Sequence, residues 1–356
     1  MIRVAIADDS PFTCKLLASY IEAGGDCRVV GMAHDARSTI DLIRGESPDV
    51  LTLDLQMPGN DGLDLLKEVT SQPATAVVVI SGVTRLAAAT TLRALELGAV
   101  DFILKYTPGA PVSRASLRRE IISKVKIAAA ARHRAKATAP AVARTVPAAP
   151  VPVTAPLPPR PFVKAAARTN SGVVIIGAST GGPRAISGVL AALPPDFATP
   201  CIVVQHLPAT FTHPFAVQLA RHTPLRVAVA DVGTAIEPGL ILIAPGSMHL
   251  TVRSDGRIHL QTPAPKDVYR PSINMAMTSA AEAFGPGAVG VVLTGSGDDG
   301  SEGLKRIRAA GGEGYVQDPS SCIVASMAER AIESAGADHV APPDRIGQLL
   351  AVRKKP

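Results

Sequence analysis

The 356-residue chain has no tryptophan, and aromatic residues make up only 3% of it, so its cores must be packed from aliphatic side chains. Cysteine is scarce as well. Cys14, Cys27, Cys201 and Cys322 are scattered singly with no C-x-x-C pair, which excludes the usual zinc-ligand spacings and a small disulfide framework and favours reduced thiols in a cytoplasm. No apolar stretch approaches the roughly 20 residues that span a bilayer, and Asp8 and Asp9 interrupt the first short apolar run, so neither a secretory leader nor membrane insertion is expected. Acid is missing altogether from residues 121–168, which hold nine Lys and Arg and no Asp or Glu. Residues 1–120 hold 12 basic against 15 acidic side chains, and residues 169–356 hold 15 against 15. The net charge of +6 therefore arises mid-chain, and neither flanking region has the basic surplus of a DNA-reading domain. No nucleic-acid partner is expected.

What is present fits two α/β domains. The length exceeds one average domain and suits two cores of about 120 to 190 residues each. The middle of the chain is Ala-, Pro- and Arg-rich, with prolines at 140, 147, 150, 152, 156, 158, 159 and 161. Such a segment cannot build a core and reads as a disordered, partly stiff linker over 126–168, between domains at 1–125 and 169–356. Short Val/Ile/Leu runs alternating with helical patterns predict five β/α units before it, with strands at 4–7, 28–31, 50–53, 77–80 and 100–104. After it, strands are predicted at 173–177, 202–205, 226–230, 240–244 and 289–293. Helices are predicted at 183–192, 213–222, 273–284 and 300–309, and a β-hairpin around Ser254-Asp255-Gly256. Both domains read as doubly wound.

In a doubly wound parallel sheet ligands sit at the carboxyl ends of strands. In the first domain Asp8 and Asp9 follow strand one, Asp54 ends strand three, Ser81 ends strand four and Lys105 ends strand five. Clustered carboxylates repel unless a hard cation such as Mg²⁺ neutralises them, and a carboxylate beside that metal can attack a phosphoryl group while a Lys and a hydroxyl contact the phosphate. Asp54 is the best-placed acceptor. Singly, each residue reads better as a cap or a solvated charge; jointly they form a chemical set. Leu53-Asp54-Leu55-Gln56-Met57-Pro58 through Asp61-Gly62, with Asp8-Asp9 and Lys105, resembles the receiver domain of response regulators, a flavodoxin-like fold. The resemblance implies a metal held by Asp9, Asp54 and the Gln56 carbonyl with Asp8 assisting, phosphate contacts from Ser81 and Lys105, and Phe102 as the conformational-switch aromatic. Tyr106 stands where that family usually has Pro, and Asn60 where it has an apolar residue.

In the second domain a strand runs directly into Gly177-Ala178-Ser179-Thr180-Gly181-Gly182-Pro183, a strand, Gly-rich turn and helix that would lift Ser179 above the sheet edge. The competing reading is a helix cap by Ser179 or Thr180. A nucleophilic Ser needs a base oriented by a carboxylate. His206 ends a strand and faces the same edge; His249 also follows a strand. The acid is suggested by Thr294-Gly295-Ser296-Gly297-Asp298-Asp299-Gly300. This segment also matches G-x-G-x-x-G, but two acids in the turn would oppose an anionic pyrophosphate, which argues against a dinucleotide site.

Those segments, with Gln205-His206, Ala244-Pro245-Gly246, His249 and Arg270-Pro271-Ser272, make residues 170–352 resemble the catalytic domain of the chemotaxis protein-glutamate methylesterase family, CheB. The resemblance implies a hydrolase-type α/β domain with a Ser179, His206, Asp299 triad, backbone oxyanion donors near Thr180 and Ser296, and Arg270 positioning substrate. It implies demethylation of glutamate methyl esters on chemoreceptors, deamidation of receptor glutamines, and phosphorylation of Asp54 by the histidine kinase CheA. No cofactor is expected for the ester reaction, and a monomer is expected. Ser296 stands where the family usually has Met, Asp298 where it has Asn, and Ser326-Met327-Ala328 where it has Gly-Met-Pro. A response regulator with a non-catalytic second domain is the alternative.

Overall fold

The computed structural model describes residues 1–57, 62–71, 74–105, 114–138 and 172–353. Asn60, Tyr106 and the proline-bearing part of the expected linker lie outside the described residues. The first domain runs β1 (Ile2–Ala7), α1 (Pro11–Glu22), β2 (Cys27–Ala33), α2 (Ala36–Glu46), β3 (Val50–Asp54), α3 (Gly62–Ser71), β4 (Ala76–Ser81), α4 (Arg85–Glu96), β5 (Asp101–Leu104) and α5 (Arg114–Thr138). Its strands form one parallel sheet in the order β2-β1-β3-β4-β5. Strands β3 and β4 are buried along their whole length, which is why they read as continuous apolar runs rather than as alternation.

Helix α5 runs past residue 125, where the first domain was expected to end, and continues through Thr138. The segment after Val125 is alanine-rich and free of proline until Pro140, so nothing in it stops a helix. Three basic residues counted with the mid-chain surplus lie on this helix and meet acids of the first domain. Lys124 lies 3.3 Å from Asp101 and 3.1 Å from Glu120, Lys126 2.5 Å from Asp26, and Arg132 pairs with Asp49.

The second domain runs β6 (Val173–Ala178), α6 (Gly182–Ala191), β7 (Cys201–Gln205), α7 (Ala209–Leu219), β8 (Arg226–Val229) and β9 (Leu240–Ile243). A hairpin of β10 (His249–Val252) and β11 (Ile258–Gln261) precedes α8 (Ile273–Phe284), β12 (Ala288–Val292) and α9 (Ser301–Ala309). The chain closes with β13 (Glu313–Gln317), α10 (Ser326–Ala335), β14 (His339–Ala341) and α11 (Pro343–Val352). The seven-stranded parallel sheet has the order β14-β13-β12-β6-β7-β9-β8. Two strands absent from the sequence reading, β13 and β14, extend one side of it. They are short and bracketed by polar residues, Glu313 and Gln317 in one and His339 in the other.

Strand order places both candidate sites. In the first sheet the winding reverses between β1 and β3, and in the second between β6 and β12. Asp8, Asp9 and Asp54 leave the first pair, and Ser179 and the 294–299 loop leave the second, at the carboxyl ends where side chains converge on a crevice. All four cysteines are buried. Among the described residues no helix is long and apolar enough to cross a membrane.

Candidate active site

In the first domain carboxylate oxygens of Asp8, Asp9 and Asp54 all lie within 4.8 Å of one another. Asp8 and Asp54 are buried, and Asp8 Oδ2 has no hydrogen-bond partner. Burial raises the Asp8 carboxyl above its ordinary range. Lys105 Nζ donates to Asp54 Oδ2 at 2.5 Å and lies 3.6 Å from Asp8. Burial alone would lower the Lys105 ammonium, but Asp54 and then Asp8 outweigh it and hold it above its ordinary value. One lysine against three acids leaves net negative charge and an unsatisfied buried oxygen, a donor set that fits Mg²⁺. The Gln56 amide donates to Asp54 Oδ1 at 3.0 Å, which sets the turn that carries its carbonyl. Ser81 is buried at the end of β4, where its hydroxyl accepts from Thr91 of α4 at 2.6 Å.

In the second domain β6 delivers Ser179 at its carboxyl end, and the backbone fixes it from both sides. The Ser179 amide donates to the Thr294 carbonyl at 3.0 Å, and its own carbonyl accepts from the Gly182 amide at 2.8 Å and from Gln205 Nε2 at 2.9 Å. Gly181, at φ +79°, turns the chain into α6, whose second residue is Pro183. Gly295 lies so close that a Cβ there would meet Ser179 Cβ at 2.7 Å and Met327 Sδ at 2.1 Å. Only glycine fits.

His206 Nε2 and Asp299 Oδ2 are 2.9 Å apart, and Asp299 is fully buried. A buried carboxylate requires donors. Asp299 has them at the start of α8, from the amides of Ile273 at 2.7 Å and Asn274 at 2.8 Å and from the Ser272 hydroxyl at 3.2 Å. Asn274 Oδ1 in turn accepts from Gly300 and Gly303 amides at 2.9 and 2.8 Å, closing the loop onto the helix. With Nε2–H donated to Asp299, Nδ1 is the basic nitrogen of neutral His206. Neither Nδ1 nor the Ser179 hydroxyl is engaged by another group among the described residues. Both residues line one cavity of about 410 Å³.

The competing histidine is engaged elsewhere. His249 is 1% exposed, its Nε2 meets Asp267 at 3.0 Å, and its Nδ1 accepts the Ser272 amide at 3.1 Å. It anchors the segment leading into α8. Arg270 reaches the cavity rim, but its guanidinium donates to the carbonyls of Ala264, Pro265 and Asp267 at 3.0, 3.1 and 3.2 Å, so in this arrangement it ties down a loop. The amides of Thr180 and Ser296 have no partner among the described residues. The sequence reading missed Tyr269, whose ring stacks on His206 with centroids 5.2 Å apart, and Asp101, which accepts the Thr180 hydroxyl at 2.6 Å. An aromatic beside Arg270-Pro271-Ser272 in so aromatic-poor a chain was the one available signal for the first.

The opposite wall of the cavity belongs to the first domain and includes Asp101, Phe102, Glu120 and Lys124. Phe102 stacks on Phe211 of α7 at 4.5 Å, and Glu96 at the end of α4 meets His222 at 2.6 Å. The first domain thus lies over the rim that holds Ser179 and His206.

Comparison with known proteins agrees with this two-part architecture. A response regulator receiver domain model matches residues 4–116, and a CheB methylesterase model matches 174–350. A protein-glutamate methylesterase/protein-glutamine glutaminase of Anaeromyxobacter dehalogenans is 39% identical over 351 residues, covering 97% of this chain and 93% of that protein. The chain belongs to the CheB methylesterase family. Another CheB-family relative, from Cupriavidus metallidurans and bearing the same enzyme name, is 38% identical over 98% of this chain and 95% of its own length. The crystal structure of the Thermotoga maritima CheB methylesterase catalytic domain covers 51% of this chain and 97% of its own, at 34% identity and a TM-score of 0.49.

Proposed function

We propose that this CheB-family chain is a phosphorylation-regulated protein-glutamate methylesterase in which Ser179 is the nucleophile, His206 the base and Asp299 its orienting acid. One observation carries the reading most: His206 Nε2 sits 2.9 Å from the buried Asp299, leaving Nδ1 as the free base in the cavity that Ser179 also lines. His206 Nδ1 takes the hydroxyl proton as Ser179 Oγ attacks the γ-carbonyl of a glutamate methyl ester. The amides of Thr180 and Ser296 receive the oxyanion. His206 returns the proton to the methoxy oxygen, methanol leaves, and water activated by the same nitrogen releases the glutamate carboxylate and Ser179. A glutamine side chain passes through the same acyl-enzyme with ammonia as leaving group, which supports the glutaminase activity in the relatives' names. Asp299 orients the ring and stabilises the imidazolium.

The substrates proposed are methylated chemoreceptors, and the phosphodonor a histidine kinase of the CheA type. Asp9, Asp54 and the Gln56 carbonyl would hold Mg²⁺ with Asp8 assisting, and the ion supplies charge neutralisation for phosphoryl transfer to Asp54. Lys105 and Ser81 would contact the phosphoryl oxygens. The unphosphorylated first domain covers the cavity, and phosphorylation shifts the population toward an open arrangement that admits a receptor helix. Action as a monomer in the cytoplasm completes the reading.

Methanol release from methylated receptor membranes, with and without a small-molecule phosphodonor, tests both halves. Ser179→Ala should abolish release, and Asp54→Asn should abolish only its stimulation by the phosphodonor. Undiminished release by Ser179→Ala would overturn the esterase assignment, and undiminished stimulation in Asp54→Asn would overturn receiver control.

A further inference from the structure

The face of the His206 ring is covered by one side chain whose own placement is determined by the loop that carries Asp299. Tyr269 lies nearly parallel to the imidazole, 13° between planes and 5.2 Å between centroids. Its hydroxyl donates to Asp298 Oδ1 at 2.9 Å and accepts the Asp298 amide at 3.3 Å, a two-way clasp on the residue preceding Asp299. The backbone makes room for this hydroxyl. Gly297 has φ +98°, and a Cβ there would stand 2.2 Å from Tyr269 Oη. The chain on the other side is pinned too, by Arg270 to the 264–267 carbonyls and by His249 to the Ser272 amide.

We infer that Tyr269, clasped by Asp298, is a positioning residue for His206: it holds the imidazole plane so that Nδ1 stays directed at Ser179 while Asp299 grips Nε2. Asp299 alone constrains the ring at one nitrogen and leaves it free to swing about that hydrogen bond. A flat aromatic face against the ring removes that freedom, and misplacement of a base by as little as 1 Å costs about 100-fold in rate. The pair also stabilises the imidazolium that forms in mid-reaction. An imidazolium is attracted to the ring face, and the Asp298 carboxylate adds negative charge through the same contact. The other charges facing His206 are Asp299 from the β12–α9 loop, Arg270 at the rim, and Asp101, Glu120 and Lys124 from the receiver wall. Lys124 is paired with both receiver acids, which leaves the Asp298 charge less opposed.

This inference rests on the triad assignment above, and its test separates the two. Methanol release by the full-length chain with a phosphodonor is measured against pH for wild type, Ser179→Ala, Tyr269→Ala, Tyr269→Phe and Asp298→Asn. Tyr269→Ala should lower kcat by about tenfold or more with little change in KM, and move the acid limb of kcat/KM to lower pH. Tyr269→Phe keeps the stacked face and should recover most of the lost kcat. Asp298→Asn keeps an acceptor for the Tyr269 hydroxyl and removes the charge, so its kcat should stay near wild type while its acid limb moves to lower pH. A Tyr269→Ala variant with wild-type kcat, or acid limbs unmoved in both Tyr269→Ala and Asp298→Asn, overturns the positioning role while an inactive Ser179→Ala leaves the esterase reading standing. Activity in Ser179→Ala overturns the reading beneath it.

Discussion

The hydroxyl of Thr180 donates to Asp101 Oδ2 across the domain boundary at 2.6 Å, so the residue next to the proposed nucleophile is held by the strand that carries Phe102. Asp101 is itself fixed, accepting the Phe102 amide through Oδ1 at 2.7 Å and facing Lys124. Burial alone would lower the Lys124 ammonium; Asp101 and Glu120 outweigh it and keep it charged, above its ordinary value. Phe102 then stacks on Phe211. A change at the receiver pocket that moves β5 must therefore disturb a contact made within one residue of Ser179.

If these contacts hold the receiver over the cavity, loosening one should raise basal activity. His222 and Glu96 form a partly exposed pair at 2.6 Å on the α4 side of the boundary. Such pairs contribute about 0 to 1 kcal/mol, so His222→Ala should raise unphosphorylated methanol release by up to about fivefold and leave the phosphorylated rate unchanged. High salt should mimic the effect in wild type.

Asp299→Asn keeps shape and removes charge. The Ile273 and Asn274 amides lose their anionic acceptor, and the new amide can donate to His206, favouring the tautomer with the proton on Nδ1. We expect kcat to fall by about 10³-fold or more, with a circular dichroism spectrum like that of wild type.

Gly295→Ala places a methyl against Ser179 Cβ and Met327 Sδ at distances that side chains do not tolerate. Met327 is buried and its sulfur can give way only in part. The expected result is a lower Tm, by about 3 to 6 °C for an overpacking cost of 1 to 2 kcal/mol in a domain of this size, and esterase activity near background. Calorimetry and methanol release on one preparation check both.

Asp338 supplies a pH test. Burial alone would raise its carboxyl, but Arg308, at 3.1 Å, and the Gly314 amide, at 2.7 Å, outweigh burial and hold it below its ordinary 3.8. A carboxyl with a lowered folded-state pKa adds stability that is fully present above 3.8 and is lost as pH falls through the folded value. Asp338→Ala should lower Tm at pH 7 by about 2 °C, a figure discounted for a pair one-third exposed to solvent. The gap from wild type should close below pH 3.8.

Much of this protein was determined by sequence alone, because a parallel strand buried on both faces leaves a plain mark: a short apolar run that ends where chemistry begins. Asp54, Ser81, Ser179 and His206 all stand at such ends, and Gly181 and Pro183 mark the turn that exposes Ser179. The extent of α5 was legible in its alanines, but the net charge of the middle segment obscured it, since Lys124, Lys126 and Arg132 reveal their partners only when the helix is laid against Asp101, Asp26 and Asp49. Short β13 and β14 carry too few apolar residues to stand out from a loop.

Tertiary structure alone shows that His206 and His249 are engaged differently. Both follow strands, and the choice depends on which one meets a buried carboxylate 93 residues away and which is consumed by Asp267 and Ser272. It also decided that Nδ1 is the free nitrogen of His206, that Arg270 is tied to its own loop, and that Tyr269 covers the imidazole. The reason is physical: periodicity and turn chemistry are local and are written along the chain. Hydrogen-bond partners across a sheet's switch point are set by strand order, which no short segment encodes.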